Sequence, residues 1–328
     1  MTLSPVDITI AVTVYDRRDF IQQSVLSALN QTVPVNVMVV EDCGPVPGLQ
    51  GFVCDRFGTR IKYHRNPRRR GLFDNWNACL EYCGTRWLSI LHDDDFLKEN
   101  FVETMLALYK ASPERGLYFG NHVVVNSNGD TLYLAQPVAN GTWRNIDLRS
   151  LADSNWLGFG GHLFPVECVR RLGGFRRTSA FCGDWEMWFK LSAEFGGVFT
   201  TVPVAAARLY QDERKGTSKV SRNGRNHAAI IVQSKRNYAW LKRAGILDHV
   251  EIAALRAVNS IGPRELVTHC GGFSPRMFRY NVGLLLTCPP TSPLQRALQW
   301  AGKVGGVGLV RVLCRVLSFL RFKPDHLA

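Results

Sequence analysis

Long apolar runs are missing from this chain. No uninterrupted apolar segment among its 328 residues reaches the roughly 18 needed to cross a bilayer, the nearest candidates being broken by Arg, Lys or Gly. A leader is missing too: no positive charge precedes the apolar part of MTLSPVDITIAVTVYDRRDF and no small-residue cleavage site follows, so the stretch reads as a first strand. Cysteine pairs at metal or redox spacing are absent. The nine cysteines are scattered, and Cys79 and Cys83 stand one helical turn apart, which suits neither a zinc knuckle nor a disulfide framework. There is no internal repeat and no low-complexity stretch. A glycine-rich phosphate turn fails to appear after the first strand, where Tyr15-Asp16-Arg17-Arg18 stands instead, and this excludes a nicotinamide oxidoreductase. Together these absences predict a chain of the reducing cytoplasm with free thiols, neither secreted nor membrane-spanning.

What is present is enough for a substantial core. With 46% apolar residues the chain can build one large α/β domain of roughly 220 residues plus a smaller appendage. Its 40 Lys+Arg against 27 Asp+Glu leave a formal charge of +13, so the expected partners are negative: nucleotide diphosphates, anionic lipid headgroups or nucleic acid. Nucleic acid fits least, because Arg68-Arg69-Arg70 has neither a recognisable binding motif nor interleaved aromatic residues beside it.

The run Ile8 to Val14 is short, β-branched and continuous, as in a strand buried on both faces of a parallel sheet. Helical spacing follows over Asp19 to Asn30, then a strand over Val35 to Val40 ending at Glu41-Asp42. A strand around Ile61 to His64 leads into the basic loop Asn66 to Gly71. A helix from Phe73 to Cys83 precedes the strand Trp87 to Leu91, which stops at His92-Asp93-Asp94-Asp95. Beyond it come a helix over Phe101 to Lys110, strands at Leu117 to Val125 and Thr131 to Leu134, and a helix from Asp184 to Phe195. Strands alternating with helices predict a doubly wound sheet, whose ligands gather at the carboxyl ends of the strands. Asp42 and the three aspartates lie at such ends. Gln211 to Arg225 is polar and basic around Gly216 and reads as a mobile loop that a bound diphosphate draws closed. Residues 226 to 260 read as helical.

Three adjacent carboxylates repel one another unless a cation or proton intervenes. At the end of an apolar strand, Mg²⁺ or Mn²⁺ could satisfy them while also taking phosphate oxygens, whereas a metal-dependent phosphohydrolase would leave Asp184 and its aromatic helix without a role. Asp184 opens that helix between aromatics. A partly desolvated carboxylate there can act as a general base or as an N-cap, or as both.

The strings Val12-Thr13-Val14-Tyr15-Asp16-Arg17, Ser27-Ala28-Leu29-Asn30-Gln31-Thr32 and Val39-Val40-Glu41-Asp42 resemble the opening of family 2 glycosyltransferases. Asn66, Gly71-Leu72-Phe73-Asp74-Asn75-Trp76-Asn77, Leu91-His92-Asp93-Asp94-Asp95 and Gly183-Asp184-Trp185-Glu186-Met187-Trp188 follow in that family's order. The resemblance covers residues 7 to about 220. It implies a GT-A fold, an α/β mixed sheet of Rossmann-like character flanked by helices, and an inverting enzyme that moves a sugar from a nucleotide-sugar donor, UDP- or dTDP-linked, to a glycan or lipid-linked acceptor. On that resemblance, Thr13, Tyr15, Asp42 and Asn75 match donor-binding positions together with Asp93 and Asp94. Asp93 and Asp95 match the metal positions, Asp184 the catalytic base, and Trp185 and Glu186 the acceptor side. Arg208-Leu209-Tyr210 is similar to a Tyr-Arg-x-His stretch of the family, with Tyr210 where the family often has His. A non-catalytic sugar-binding relative is the competing reading.

The expected division is a catalytic domain over 1–225 and a mostly helical extension over 226–328. In its tail Val304, Val307, Val310, Leu313, Leu317 and Leu320 recur at helical spacing, while Lys303, Arg311, Arg315, Arg321 and Lys323 add five positive charges without an acid. Such a helix either lies in an anionic membrane surface, which would hold the protein at the inner face of the cell membrane, or packs on the catalytic domain.

Overall fold

The structure is a computed structural model that describes residues 3–136, 142–177, 182–209, 225–246, 278, 279, 282 and 293–321. Tyr210, the basic loop up to residue 224 and residues 247–260 lie outside the described residues. The chain divides into two compact units, one made of Met1–Leu151 with Asn155–Gln211, the other of Ala152–Ser154 with Asp212–Ala328.

In the first unit β1 (Ile8–Val14), β2 (Asn36–Glu41), β3 (Lys62–Arg65) and β4 (Trp87–His92) pair in parallel in the order β3-β2-β1-β4. All seven residues of β1 are buried, as its continuous apolar run requires of a central strand. The sheet then changes direction. β9 (His162–Pro165) runs antiparallel between β4 and β6 (Leu117–Val125), β10 (Gly197–Arg208) lies parallel to β6, and β5 (Phe96–Leu97) closes the far edge antiparallel to β10. Two short strands flank this half, β7 (Thr131–Leu134) on β6 and β8 (Trp143–Asn145) on β10. The sheet is therefore mixed, as the resemblance implies.

The helices of this unit are α1 (Ile21–Leu29), α2 (Leu49–Phe57), α3 (Leu72–Tyr82), α4 (Phe101–Ala111), the first four residues of α5 (Leu148–Asp153), α6 (Val166–Arg171) and α7 (Gly183–Phe195). Val25 of α1 and Phe101 and Met105 of α4 join Ile10, Val12, Val39, Leu91 and Tyr118 of the sheet in one buried apolar cluster. Each such side chain contributes about 1.5–3 kcal/mol. Where β9 leaves the ladder of β4, a side chain completes it: the Ile90 N–H donates to His162 Nε2 at 3.0 Å, and His162 Nδ1 donates to the Phe159 carbonyl at 2.7 Å. Burial lowers the pKa of His162 to about 4, so the ring is neutral, as this tautomer needs.

The second unit contains α8 (Arg225–Arg243) and α9 (Pro293–Arg321). On α8, Gln233, Ser234, Asn237, Tyr238 and Leu241 are buried, a face of helical period. On α9, Leu298, Ala301, Val310 and Cys314 are buried, and Arg311 lies over the Phe278 ring at 5.5 Å. Gly306 breaks the helix with φ 63° and ψ −162°. The two halves are thereby out of phase, so the stripe expected through Val304 and Val310 is not one face: Val310 is fully buried, whereas Val304 is 64% exposed. The side chains of Leu317 and Leu320, and Lys323, lie outside the described residues. Among the described residues no helix is long and apolar enough to cross a membrane.

Candidate active site

The strand order β2-β1-β4 brings three carboxyl ends side by side. Val14 stands opposite Glu41, and Thr13 opposite both Val40 and His92. The segments after these strands, carrying Asp42, Tyr15 with Arg17, and Asp93 to Asp95, therefore meet at one edge.

The β1 and β2 ends are built to hold one another. Thr13 is buried, and its hydroxyl donates to the Leu91 carbonyl at 3.3 Å, tying β1 to β4. Tyr15 is half-buried, with the Arg69 guanidinium 4.3 Å from its ring centroid. Gly44 presses against the Tyr15 backbone so closely that a Cβ would lie 1.5 Å from its carbonyl oxygen. Glu41, fully buried, accepts from the Gly44 N–H at 3.1 Å and from the Tyr63 hydroxyl at 2.7 Å.

Asp42 is buried and engaged. Its Oδ1 accepts from the Arg70 N–H at 2.7 Å and from Asn66 Nδ2 at 3.2 Å, and its Oδ2 from the Gly71 N–H at 2.8 Å. Asn75, on the first turn of α3, accepts from Asn66 Nδ2 at 2.8 Å and donates to the Val40 carbonyl at 3.3 Å. Both side chains thus fasten the loop 66–71 to the end of β2.

At the end of β4, Asp93 and Asp95 are buried, and desolvation pushes each carboxyl up to about 6. Arg17 is ion-paired with Asp94 and stands 3.5 Å from Asp93. Asp95 accepts from the Arg208 N–H at 2.8 Å. The Arg208 guanidinium is taken up by the carbonyls of Asp94 at 2.9 Å and Ser127 at 2.7 Å and by Gln23 Oε1 at 2.7 Å, so it clamps the aspartate turn to the β6–β7 turn. His92, whose imidazole is kept neutral by burial that lowers its pKa to about 3, stacks on Phe159 at 4.0 Å. One donor atom each from His92, Asp94 and Asp95 lies within 4.8 Å of the others. Carboxylates concentrated this tightly, two of them costly to ionise, fit a hard dication such as Mg²⁺ or Mn²⁺.

Asp184 is the second residue of α7. The N-cap position belongs to Cys182, which makes no side-chain capping bond. The Asp184 carboxyl is half-buried, accepts from Asn155 Nδ2 at 2.8 Å, and is pushed up to about 6 by desolvation against the pull of the Trp185 N–H and Asn155. Among the described residues no cation pairs with it. Glu186 differs: it is buried and ion-paired with both Arg176 and Lys190, the latter at 2.6 Å. Gly183 precedes the pair against the Phe73 ring, where a Cβ would lie 2.3 Å from a ring carbon. An aromatic wall joins this helix to the aspartate turn, Trp188 of α7 lying 6.1 Å from Phe159 and Phe159 4.7 Å from Trp76.

Arg17, Asn155 and Arg208 carry much of this geometry, and the sequence alone does not assign them, because their partners lie 77, 29 and 113 residues away. A cavity of about 480 Å³ opens elsewhere, between α1 and β5, lined by residues including Gln22, Gln23, Ser27, Phe96 and Glu99, and none of the carboxylates named above lines it.

Comparison with known proteins points one way. The sequence model of glycosyl transferase family 2 matches residues 9–172. An uncharacterized glycosyltransferase of Rickettsia bellii is 24% identical over 65% of this chain and 31% of its own length. The hyaluronan synthase of Pasteurella multocida is 24% identical over 73% of this chain and 23% of its own. This chain thus spans a third or less of these two curated relatives. Among solved structures, S. aureus TarS 1–349 in complex with UDP-GlcNAc superposes with a TM-score of 0.63 at 12% identity, covering 96% of this chain and 92% of that one. The likeness is one of fold, and the fold is GT-A.

Proposed function

This chain belongs to glycosyl transferase family 2, and from that premise we propose that it transfers a sugar from a UDP- or dTDP-linked donor to an acceptor hydroxyl with inversion at the anomeric carbon. The observation that carries the reading is the meeting of the β2, β1 and β4 ends at one edge of the parallel half-sheet, the place where an α/β sheet receives its ligand. Tyr15 and Asp42 face the nucleoside, with Thr13 and Asn75 fixing the strand end and loop behind them. Asp42 Oδ2 accepts a single bond and keeps a lone pair for an imide N–H.

Asp93 and Asp94 border the diphosphate, and Asp93 and Asp95 hold Mg²⁺ or Mn²⁺. When bound, the dication supplies the charge that neutralises the departing diphosphate. Asp184 takes the proton of the acceptor hydroxyl as the anomeric carbon is attacked. A carboxyl near 6 is ionised at neutral pH yet more basic than an ordinary aspartate, and Asn155 orients it. Trp185 and Glu186 shape the acceptor side, Glu186 being too well paired with cations to serve as the base.

The acceptor is a glycan or a lipid-linked glycan in cell-surface polysaccharide or glycolipid assembly. Curated relatives named for hyaluronan, chondroitin and succinoglycan biosynthesis support that class. The catalytic domain is taken as residues 1–225 and the extension as 226–328, whose basic α9 rests on the anionic inner face of the cell membrane. The test is a panel of nucleotide sugars with Mn²⁺, read as a rise in the thermal midpoint and as release of nucleoside diphosphate. A donor that stabilises the protein and is turned over supports the proposal. Stabilisation without release, even with acceptor glycans added, indicates a non-catalytic binder.

A further inference from the structure

His92 directly precedes the three aspartates, and among the described residues neither of its ring nitrogens has a hydrogen-bond partner. Nε2 is buried and unpartnered, and Nδ1 stands 3.7 Å from Asp95 Oδ2, too far for a hydrogen bond. Its orientation is fixed by ring contacts, with Phe159 at 4.0 Å and Trp76 at 5.7 Å, both near-parallel. Donors about 2.1 Å from a common ion are about 3 Å apart at right angles and about 4 Å apart when opposite. The 3.7 Å between Nδ1 and Asp95 Oδ2 falls between these two separations, so a shift of about half an ångström lets both atoms reach one ion, and a donor atom of Asp94 completes the group within 4.8 Å.

We infer that His92 is itself a ligand of the dication, beside Asp94 and Asp95, and that its nitrogen makes the site prefer Mn²⁺ to Mg²⁺. This rests on the proposed function in one respect, that a dication enters this cluster. Carboxylates alone suit Mg²⁺ as well as Mn²⁺, whereas an imidazole suits transition metals and is a poor ligand for Mg²⁺. Asp94 is ion-paired to Arg17, and the guanidinium yields it to the incoming ion. Asp93, a ligand in the proposed function, stands 3.5 Å from the same guanidinium.

The experiment uses the full chain with Mn²⁺ alone and then Mn²⁺ with UDP, followed by pulsed electron paramagnetic resonance. Nitrogen modulation from a directly bound imidazole is expected, with frequencies that change when the histidines carry ¹⁵N. His92→Phe retains the ring stacking and should abolish the modulation. It should also cut the preference for Mn²⁺ over Mg²⁺ by about tenfold, measured by Mg²⁺ displacement of bound Mn²⁺. If that variant does not fold, the isotope measurement on the unaltered protein decides alone. Bound Mn²⁺ without nitrogen coupling overturns the role of His92 and leaves the aspartate site standing. Failure of Mn²⁺ to bind, with or without UDP, overturns this inference and the metal assignment of the proposed function together.

Discussion

Replacing Asp42 with Asn separates a carboxylate that builds the site from one that only touches a ligand. Asp42 accepts from the backbone N–H groups of Arg70 and Gly71 at 2.7 and 2.8 Å, one on each oxygen. Asn has a single acceptor oxygen, so whichever way the amide turns, its NH₂ confronts one of those two N–H donors. A hydrogen bond to a charged group is lost, about 1.5–3 kcal/mol, and a half-buried N–H is left without an acceptor, which costs at most about 1–3 kcal/mol. Allowing for local relaxation, the net loss should be about 3 kcal/mol. For a unit of this size each kcal/mol moves the thermal midpoint by about 2–4 °C, so a fall of about 6–12 °C is expected for Asp42→Asn. Circular dichroism of the full chain measures it. A midpoint shift below about 2 °C would refute the reasoning, because it would mean that the bonds to Arg70 and Gly71 do not hold the loop.

The raised carboxyl of Asp184 sets the pH dependence. A base works when deprotonated, so transfer should be low below its pKa and level off above it, with an acid limb near pH 6; a limb near 4 at saturating substrates would place the base elsewhere. Gly44→Ala inserts a Cβ 1.5 Å from the Tyr15 carbonyl oxygen, which no rotamer change relieves, so donor affinity should fall at least tenfold as the Tyr15 segment shifts, measured by calorimetry. Deleting residues 292–328 should release the protein from anionic vesicles at low salt, each basic side chain being worth about 1 kcal/mol at such a surface. If the full chain does not sediment with those vesicles, the membrane reading of α9 fails.

Much of the first unit is legible in the sequence because its strands are continuous and β-branched. The spans Ile8 to Val14, Leu117 to Val125 and Thr131 to Leu134 read from the sequence coincide with β1, β6 and β7. β10 escapes such reading because Pro203 and two register shifts interrupt its pairing with β6, and its Ala205-Ala206-Ala207 run carries little strand preference. β9 has four residues, and α2 follows a Gly-Pro-Val-Pro-Gly stretch that reads as turn. Within the site, residue types and strand ends are visible in advance, but the allocation of hydrogen bonds is not. Asp42 reads as a donor-binding position at a strand end, and the structure shows it also bonded to N–H groups 28 and 29 residues downstream. Arg208 reads only as part of a stretch similar to Tyr-Arg-x-His, and the structure shows its guanidinium occupied by protein oxygens. The tail's apolar stripe presumes an unbroken helix, and a single left-handed residue, Gly306, rotates one half against the other.

Asp184 as the base of a single in-line displacement is tested most directly by the anomeric configuration of the product, read by proton NMR, together with Asp184→Asn and Glu186→Gln. The β-linked product of an α-linked donor is expected, with transfer by Asp184→Asn reduced about 10²-fold or more at little change in donor affinity, and with Glu186→Gln retaining most of it. A product of retained configuration, or an Asp184→Asn variant that transfers normally while Glu186→Gln does not, would contradict it.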